Sequence, residues 1–377
     1  MIQITLDKEK QDICEAAFLK IMESRLPFCR FEIYGEKREA EDAISANKKR
    51  EIEGARIVLW NYPKLYRFLY LASESDTLPT DEEEVAKKPV YKDRLKQLLI
   101  GRHNNMTEGN RRKCLVNIIG EIGKLEEGAS ELLGKIFRYD KFADSVGAKR
   151  LLKMLGITVC PYCNRMFIAT IERSDTKNRW NGTRPQFDHY FNKDRYPYLA
   201  VNFYNLIPSC SSCNQYKHDL DTYEEPLLYP YDEGMGQEYV FAAYPVRYDW
   251  KIFYENIIDK KEEIKLSIEP KPINIYKNKV VSASERIELE KRIQTSVNRL
   301  HLEDLYNMHT EYAAKIIRNK YLFNDAYIRM LSERFPKMQF SVHDVKEFMY
   351  CKDLSEENWG QNILAKLAYD MDTETNI

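Results

Sequence analysis

The sequence predicts an α+β protein, mostly α-helical, with one small strand–strand–helix module at its centre. Three observations predict it. Two C-x-x-C pairs, Cys160/Cys163 and Cys210/Cys213, bracket residues 164–209. Inside that interval the chain reads as strands and turns, with an Asn181-Gly182 hairpin signal. On both sides of it, apolar residues recur at helical spacing.

The 377 residues exceed one typical domain and can bury a sizeable core. We divide them into a helical region 1–155, a central module 156–235, and a C-terminal region 236–377 of short strands and then helices. With 44% hydrophobic and 31% charged residues the composition is that of an ordinary globular protein. The net charge of −1 neither requires nor excludes a nucleic acid partner, since one local basic patch suffices for binding. No run approaches the ~18 apolar residues of a membrane span, and the start lacks a basic and then apolar leader, so a cytoplasmic protein with no membrane partner is expected. In that reducing compartment the scattered Cys14, Cys29, Cys114 and Cys351 read as core residues.

In chain order, Ile2, Ile4 and Leu6 alternate as in a short strand, and Asp7 caps a helix to about Arg25. Helices follow over about 40–56 and 56–72, the second started near Pro63. Residues 73–89, acidic and bounded by prolines, read as a linker. Helical spacing resumes over 91–100 and 113–137, with a polar break at 101–109 that contains His103. A helix over about 142–155 stops at Gly156. The cations Arg94, Lys96, Arg102, Arg111, Arg112 and Lys113 read as a solvated helical face balanced by acids. Residues 165–172 and 186–191 read as paired strands, and Ser211 or Ser212 caps the helix that follows. Further on, 239–250 and 264–268 read as strands, and 283–300, 302–321, 323–335 and 343–368 as helices. His309 reads as a packing residue, and the tail from Asp370 as frayed.

A C-x-x-C turn places two thiolates on one side of a tight loop, and two such turns complete the closed tetrahedral site of a structural zinc. The alternative is two unrelated buried or redox-active pairs; redox C-x-x-C motifs come singly and in a different context.

These residues resemble the HNH endonuclease family in its four-cysteine form. The matching order is Cys160, Cys163, Asp188-His189, Asn205-Leu206, Cys210, Cys213-Asn214 and Lys217. The wording of residues 188–214 is most similar to the HNH subunits encoded beside ATPases in bacterial anti-phage defence systems such as Septu, over about 156–232. The resemblance implies a zinc-bound ββα-metal nuclease module that cuts DNA. It makes His189 the general base, because an imidazole pKa lies near working pH. It makes Asp188 and Asn214 the ligands of one Mg2+ or Mn2+, which prefers oxygen donors. Asn205 then orients His189 through the backbone or the neighbouring loop, and Lys217 meets a phosphate.

Around this set, Lys193, Arg195, Arg184 and Arg179 are candidate substrate contacts, while the interleaved tyrosines read equally well as packing. His218 occupies a position where the family often has Gly, and it reads as a helix residue. No G-x-x-x-x-G-K-[ST] motif occurs, so control by ATP requires a separate ATPase partner. Two alternatives stand beside this reading: a non-catalytic zinc-stabilised module that binds nucleic acid or acts as a scaffold, and an HNH nuclease acting on RNA.

Overall fold

The computed structural model describes residues 1–23, 25–26, 46–71, 76–87, 91–101, 110–126, 128–171, 183–246, 264–271, 283–334 and 341–373. It is mostly helical with two small antiparallel sheets among the described residues. No described helix is long and apolar enough to cross a membrane. Arg179, Asn181-Gly182, His103, Arg102, Cys29 and Ser282 lie outside the described residues.

Residues 1–7 form no strand, yet they are tied down, with Ile2 N–H donating to Pro161 O at 2.9 Å and Ile4 N–H to Pro230 O at 2.7 Å. Gly234 makes this approach possible, because a Cβ there would lie 2.7 Å from the Gln3 nitrogen. Asp7 caps α1 (Lys8–Glu23) by accepting the Lys10 N–H at 2.7 Å. α2 (Ala46–Trp60) and α3 (Pro63–Tyr70) meet at Asn61-Tyr62, because Pro63 starts a new helix there.

The expected linker contains α4 (Glu82–Lys87). Asp81 caps it at 2.8 Å, three glutamates sit at its positive end, and Val85 is buried. α5 (Lys92–Ile100) stops at Gly101. The single helix expected over 113–137 is two, α6 (Arg111–Ile122) and α7 (Ala129–Phe137), separated by Gly123 and Gly128 at φ 84° and 93°. α8 (Tyr139–Ala143) and α9 (Val146–Leu155) likewise divide the next stretch, Ser145 capping the second and Gly156 ending it at φ 64°. Of the basic residues, Arg94 pairs with Glu121 at 3.3 Å and Arg111 with Asp232 at 3.4 Å, so acids balance both.

In the centre the observed pairing differs from the expected one. Residues 165–172 make only the isolated bridges Val159–Phe167 and Ile171–Thr183, and Phe167 and Ile171 are exposed. β1 (Gln186–His189) instead pairs antiparallel with β2 (Leu206–Ser209), Gln186 opposite Ser209 and His189 opposite Leu206. α10 (Ser211–Lys217) follows at once, capped by the Cys210 thiol rather than by a serine.

In the last third β3 (Tyr239–Pro245) pairs antiparallel with β4 (Ile264–Pro270). Helices Ala283–Arg299, Leu302–Asn307, Thr310–Leu322, Asp325–Arg334, Val342–Tyr350 and Ala365–Thr373 come after. The helix expected over 302–321 breaks at Met308-His309, and the one over 343–368 breaks at Cys351, which is exposed rather than core at φ 52°. The tail is not frayed at Asp370. That side chain is fully buried, accepts from Lys366 Nζ at 3.0 Å and from Phe241 N–H at 2.9 Å, and keeps the last helix in place through Thr373.

One apolar cluster draws on all three stretches of chain, from Phe18 and Phe142 through Phe203 to Tyr306 and Leu367. Both flanks close directly on the central stretch. Phe18 of α1 meets the Phe203 ring at 5.4 Å, and Leu364 N–H donates to Asn164 O at 2.6 Å.

Candidate metal centre and active site

The two C-x-x-C turns meet. The four thiols of Cys160, Cys163, Cys210 and Cys213 are buried and lie within 4.8 Å of one another. Asn164 at φ 50° turns the chain back after the first pair, and its backbone N–H donates to Cys160 O at 2.8 Å. The second pair is the first turn of α10, where Cys213 N–H donates to Cys210 Sγ at 3.5 Å and Cys210 N–H to Cys160 Sγ at 3.4 Å. Zinc held at about 2.3 Å from each sulfur places the sulfurs about 3.8 Å apart, and Cys163 and Cys210 stand 4.0 Å apart. Burial first, and then the neighbouring Cys163 and Cys210, push the Cys160 thiol well up, so thiolates clustered here require a cation at their centre. The donor set fits a metal such as zinc.

β1 carries the two adjacent residues of interest on opposite faces, as the two-residue period of a strand dictates. Gln186 and Asp188 face α10, where Asn214 Nδ2 donates to Gln186 Oε1 at 2.8 Å and Lys217 Nζ to Asp188 Oδ1 at 3.1 Å. Phe187 and His189 face α8, where Phe142 and Tyr139 stand against them with ring centroids at 5.7 and 4.3 Å.

Asp188 is buried and its second oxygen accepts from Tyr162 Oη at 2.6 Å. Tyr162 lies inside the first C-x-x-C turn, and burial raises its phenol well above the usual range, so it remains a donor. The carboxylate is thus held from both cysteine pairs. Lys217 does not reach outward to a phosphate. Its ammonium is sealed in the Asp188 pair and also donates to His189 O, because an ion pair this buried satisfies itself internally. Removing one partner leaves an uncompensated buried charge. Lys217→Met is expected to lower stability by about 3–5 kcal/mol, whereas loss of a surface phosphate contact would change it little; urea unfolding distinguishes the two.

His189 is half-buried and its Nε2 lies 3.0 Å from Ala200 O. A carbonyl only accepts, so Nε2 carries the proton and Nδ1 keeps its lone pair. Burial lowers the imidazole to about 3, with Lys193 and Lys217 adding repulsion. The ring is therefore neutral at pH 7, and its pKa does not lie near working pH as the resemblance implied, because burial disfavours the charged form. Between pH 3 and 6.5 the unfolded imidazole binds more protons than the folded one, so its contribution to stability is lost as pH falls through that window.

Asn205 is fully buried and ties the loop after His189 from three sides. It accepts the Phe191 N–H at 2.7 Å and donates to Phe191 O and Leu199 O, each at 3.0 Å. Asn214 has its amide nitrogen engaged by Gln186, and its oxygen is the atom suited to a hard cation.

Each candidate substrate cation among the described residues has a partner of its own. Arg184 pairs with Asp144 at 3.2 Å, Arg195 with Asp221 at 3.1 Å, and Lys193 lies 5.1 Å from the Tyr139 ring centroid. The tyrosines pack: Tyr190, Tyr196, Tyr198 and Tyr204 are buried, and the Tyr198 hydroxyl donates to Gly123 O at 2.9 Å. His218 stands just past α10 at φ 39°, exposed and 3.2 Å from Asp219; it is a turn residue in the backbone region that favours glycine, not a helix residue. His309 stands at the start of a helix without a side-chain capping bond, and its Nε2 accepts from Arg165 Nε at 2.9 Å. Sequence reasoning missed Tyr162, Gln186 and Tyr139, whose types carry no metal or base signal by themselves.

Over 45 residues, 12% of this chain, the sequence is 44% identical to the Septu protein PtuB of Bacillus thuringiensis. The chain spans 18% of that curated relative's length. No family model matches the chain, and no solved structure matches it.

Proposed function

We propose that the chain is a metal-dependent HNH endonuclease that hydrolyses phosphodiester bonds in DNA, as the effector of a bacterial anti-phage defence system in the cytoplasm. The observation that supports it most is β1 itself, which presents a neutral His189 with a free Nδ1 while its neighbour Asp188 is braced from both cysteine pairs. Residues 156–235 form the nuclease module in this reading, and regions 1–155 and 236–377 offer docking surfaces for a co-encoded ATPase. The similarity to a Septu protein supports the defence role.

In the reaction, His189 Nδ1 takes a proton from water. The water oxygen bonds to phosphorus as the bond from phosphorus to the 3′ oxygen breaks. The resemblance assigns Mg2+ or Mn2+, which would stabilise charge on the phosphate and on the departing oxygen, to Asp188 and Asn214 Oδ1. Both Asp188 oxygens are already engaged by Lys217 and Tyr162, so a cation there would have to displace the Lys217 ammonium. Asn205 keeps the loop that carries the Ala200 carbonyl fixed, and so keeps the imidazole tautomer fixed. Lys193, Arg184 and Arg195 neutralise flanking phosphates.

A second reading, a non-catalytic zinc-stabilised binding module, gains support from the closed Asp188–Lys217–Tyr162 set. Incubating the protein with plasmid, linear duplex, single-stranded DNA and RNA, with Mg2+ or Mn2+ and with EDTA, decides between them. Metal-dependent cutting supports the nuclease and ranks DNA against RNA; binding without cutting, with an added ATPase partner present, favours the module.

A further inference from the structure

The imidazole of His189 is fixed in two ways that come from different parts of the chain. The Ala200 carbonyl fixes the direction of Nε2 within the ring plane. Nothing in that bond fixes the tilt of the plane. The Tyr139 ring does: its centroid lies 4.3 Å from that of the imidazole, with the planes at 65°, the edge-to-face arrangement that aromatic rings favour.

Tyr139 is itself well seated. It belongs to α8, outside the stretch bounded by the two cysteine pairs, and Phe142 one turn later stacks on Phe187 at 5.7 Å. Its hydroxyl lies 3.4 Å from Phe187 O, a marginal bond, so the ring contributes more than the oxygen. The same ring carries the Lys193 ammonium at 5.1 Å.

We infer that Tyr139 is a positioning residue for His189, a ring supplied by the N-terminal helical region that sets the plane of the base and seats Lys193 beside it. The inference rests on the nuclease reading of the site for its kinetic consequence, though not for its spectroscopic one. The 156–235 stretch therefore lacks one part of its own site. A tilted imidazole directs the Nδ1 lone pair away from the attacking water, and misplacement of this kind acts on the chemical step rather than on binding.

The test uses the full chain with Tyr139→Phe, Tyr139→Leu and, as a comparison, Lys193→Gln. Each is followed by cleavage kinetics and by nitrogen NMR of the histidine rings, with His189→Gln to assign the signal. Tyr139→Leu is expected to lower kcat about tenfold or more, with KM rising no further than in Lys193→Gln, and to broaden the His189 ring signals as the plane is freed. Tyr139→Phe is expected to restore both readouts, and Lys193→Gln to raise KM. Equal impairment in the Phe and Leu variants, a change in KM alone, or an unchanged imidazole signal in Tyr139→Leu overturns the assignment. If Tyr139→Leu unfolds, Tyr139→Met takes its place under the same criteria. A wild-type protein that cuts nothing overturns the nuclease reading, and the imidazole signal still decides the role of Tyr139.

Discussion

Cys210→Ser is expected to abolish zinc binding and to unfold the centre of the molecule together with much of its flanks. Serine is at least as good an N-cap as cysteine, so α10 keeps its capping oxygen and the loss falls on the metal site. Structural zinc contributes on the order of 10 kcal/mol, comparable to the whole stability of a domain at about 5–15 kcal/mol. The damage spreads because neighbours of the thiols anchor distant chain. Tyr306 Oη donates to Cys163 O at 2.7 Å, and Asn164 Nδ2 donates to Trp359 O at 2.9 Å. Zinc content by atomic absorption and thermal melting by circular dichroism check this. We expect no bound zinc in the variant and a transition many degrees lower, with the same change in wild type after chelation. A variant that melts within a few degrees of wild type would mean that the four thiols bind no structural metal.

The parts of the site legible in the sequence are those whose signal is local. A C-x-x-C pair, a cap such as Asp7 or Ser145, and a stop such as Gly156 each declare themselves within a few residues. What escaped depends on distant chain. β2 is buried on every residue and contains Pro208, so it shows neither alternation nor a strand composition, and the sequence therefore offers β1 residues 165–172 as a partner instead. The burial of Lys217 is invisible in a C-x-x-C-N-x-x-K string, because only the meeting of α10 with β1 puts Asp188 beside it. Gly123, Gly128 and Cys351 break helices whose apolar period runs straight through, since periodicity registers the face of a helix and not its interruptions. Tyr139 lies about fifty residues before His189, and nothing in its neighbourhood marks it.

The second large effect concerns His189. Replacing it with Ala removes the only group assigned to take the proton from water. Positioned general bases contribute about 10²–10⁴-fold, and the rate is expected to fall by at least that much. The ring also contacts Tyr139 and Ala200 O, but it is half-buried and its loss leaves Asp188, Lys217 and the thiols in place. Zinc content and the unfolding midpoint are therefore expected to stay near wild type. Because burial holds the imidazole down at about 3, the base is already deprotonated at neutral pH. Wild-type cleavage is expected to be level between pH 6 and 8 rather than to fall away below 6.5, as it would for an unperturbed histidine.

The most direct measurement is the single-turnover cleavage rate of plasmid DNA in Mg2+ by wild type and by His189→Ala, at equal zinc content and equal melting temperature. The nuclease account predicts cutting that EDTA stops and that the variant loses by about a hundredfold or more. Equal rates in the two proteins would contradict it, and so would a wild-type protein that leaves every nucleic acid intact with its ATPase partner present.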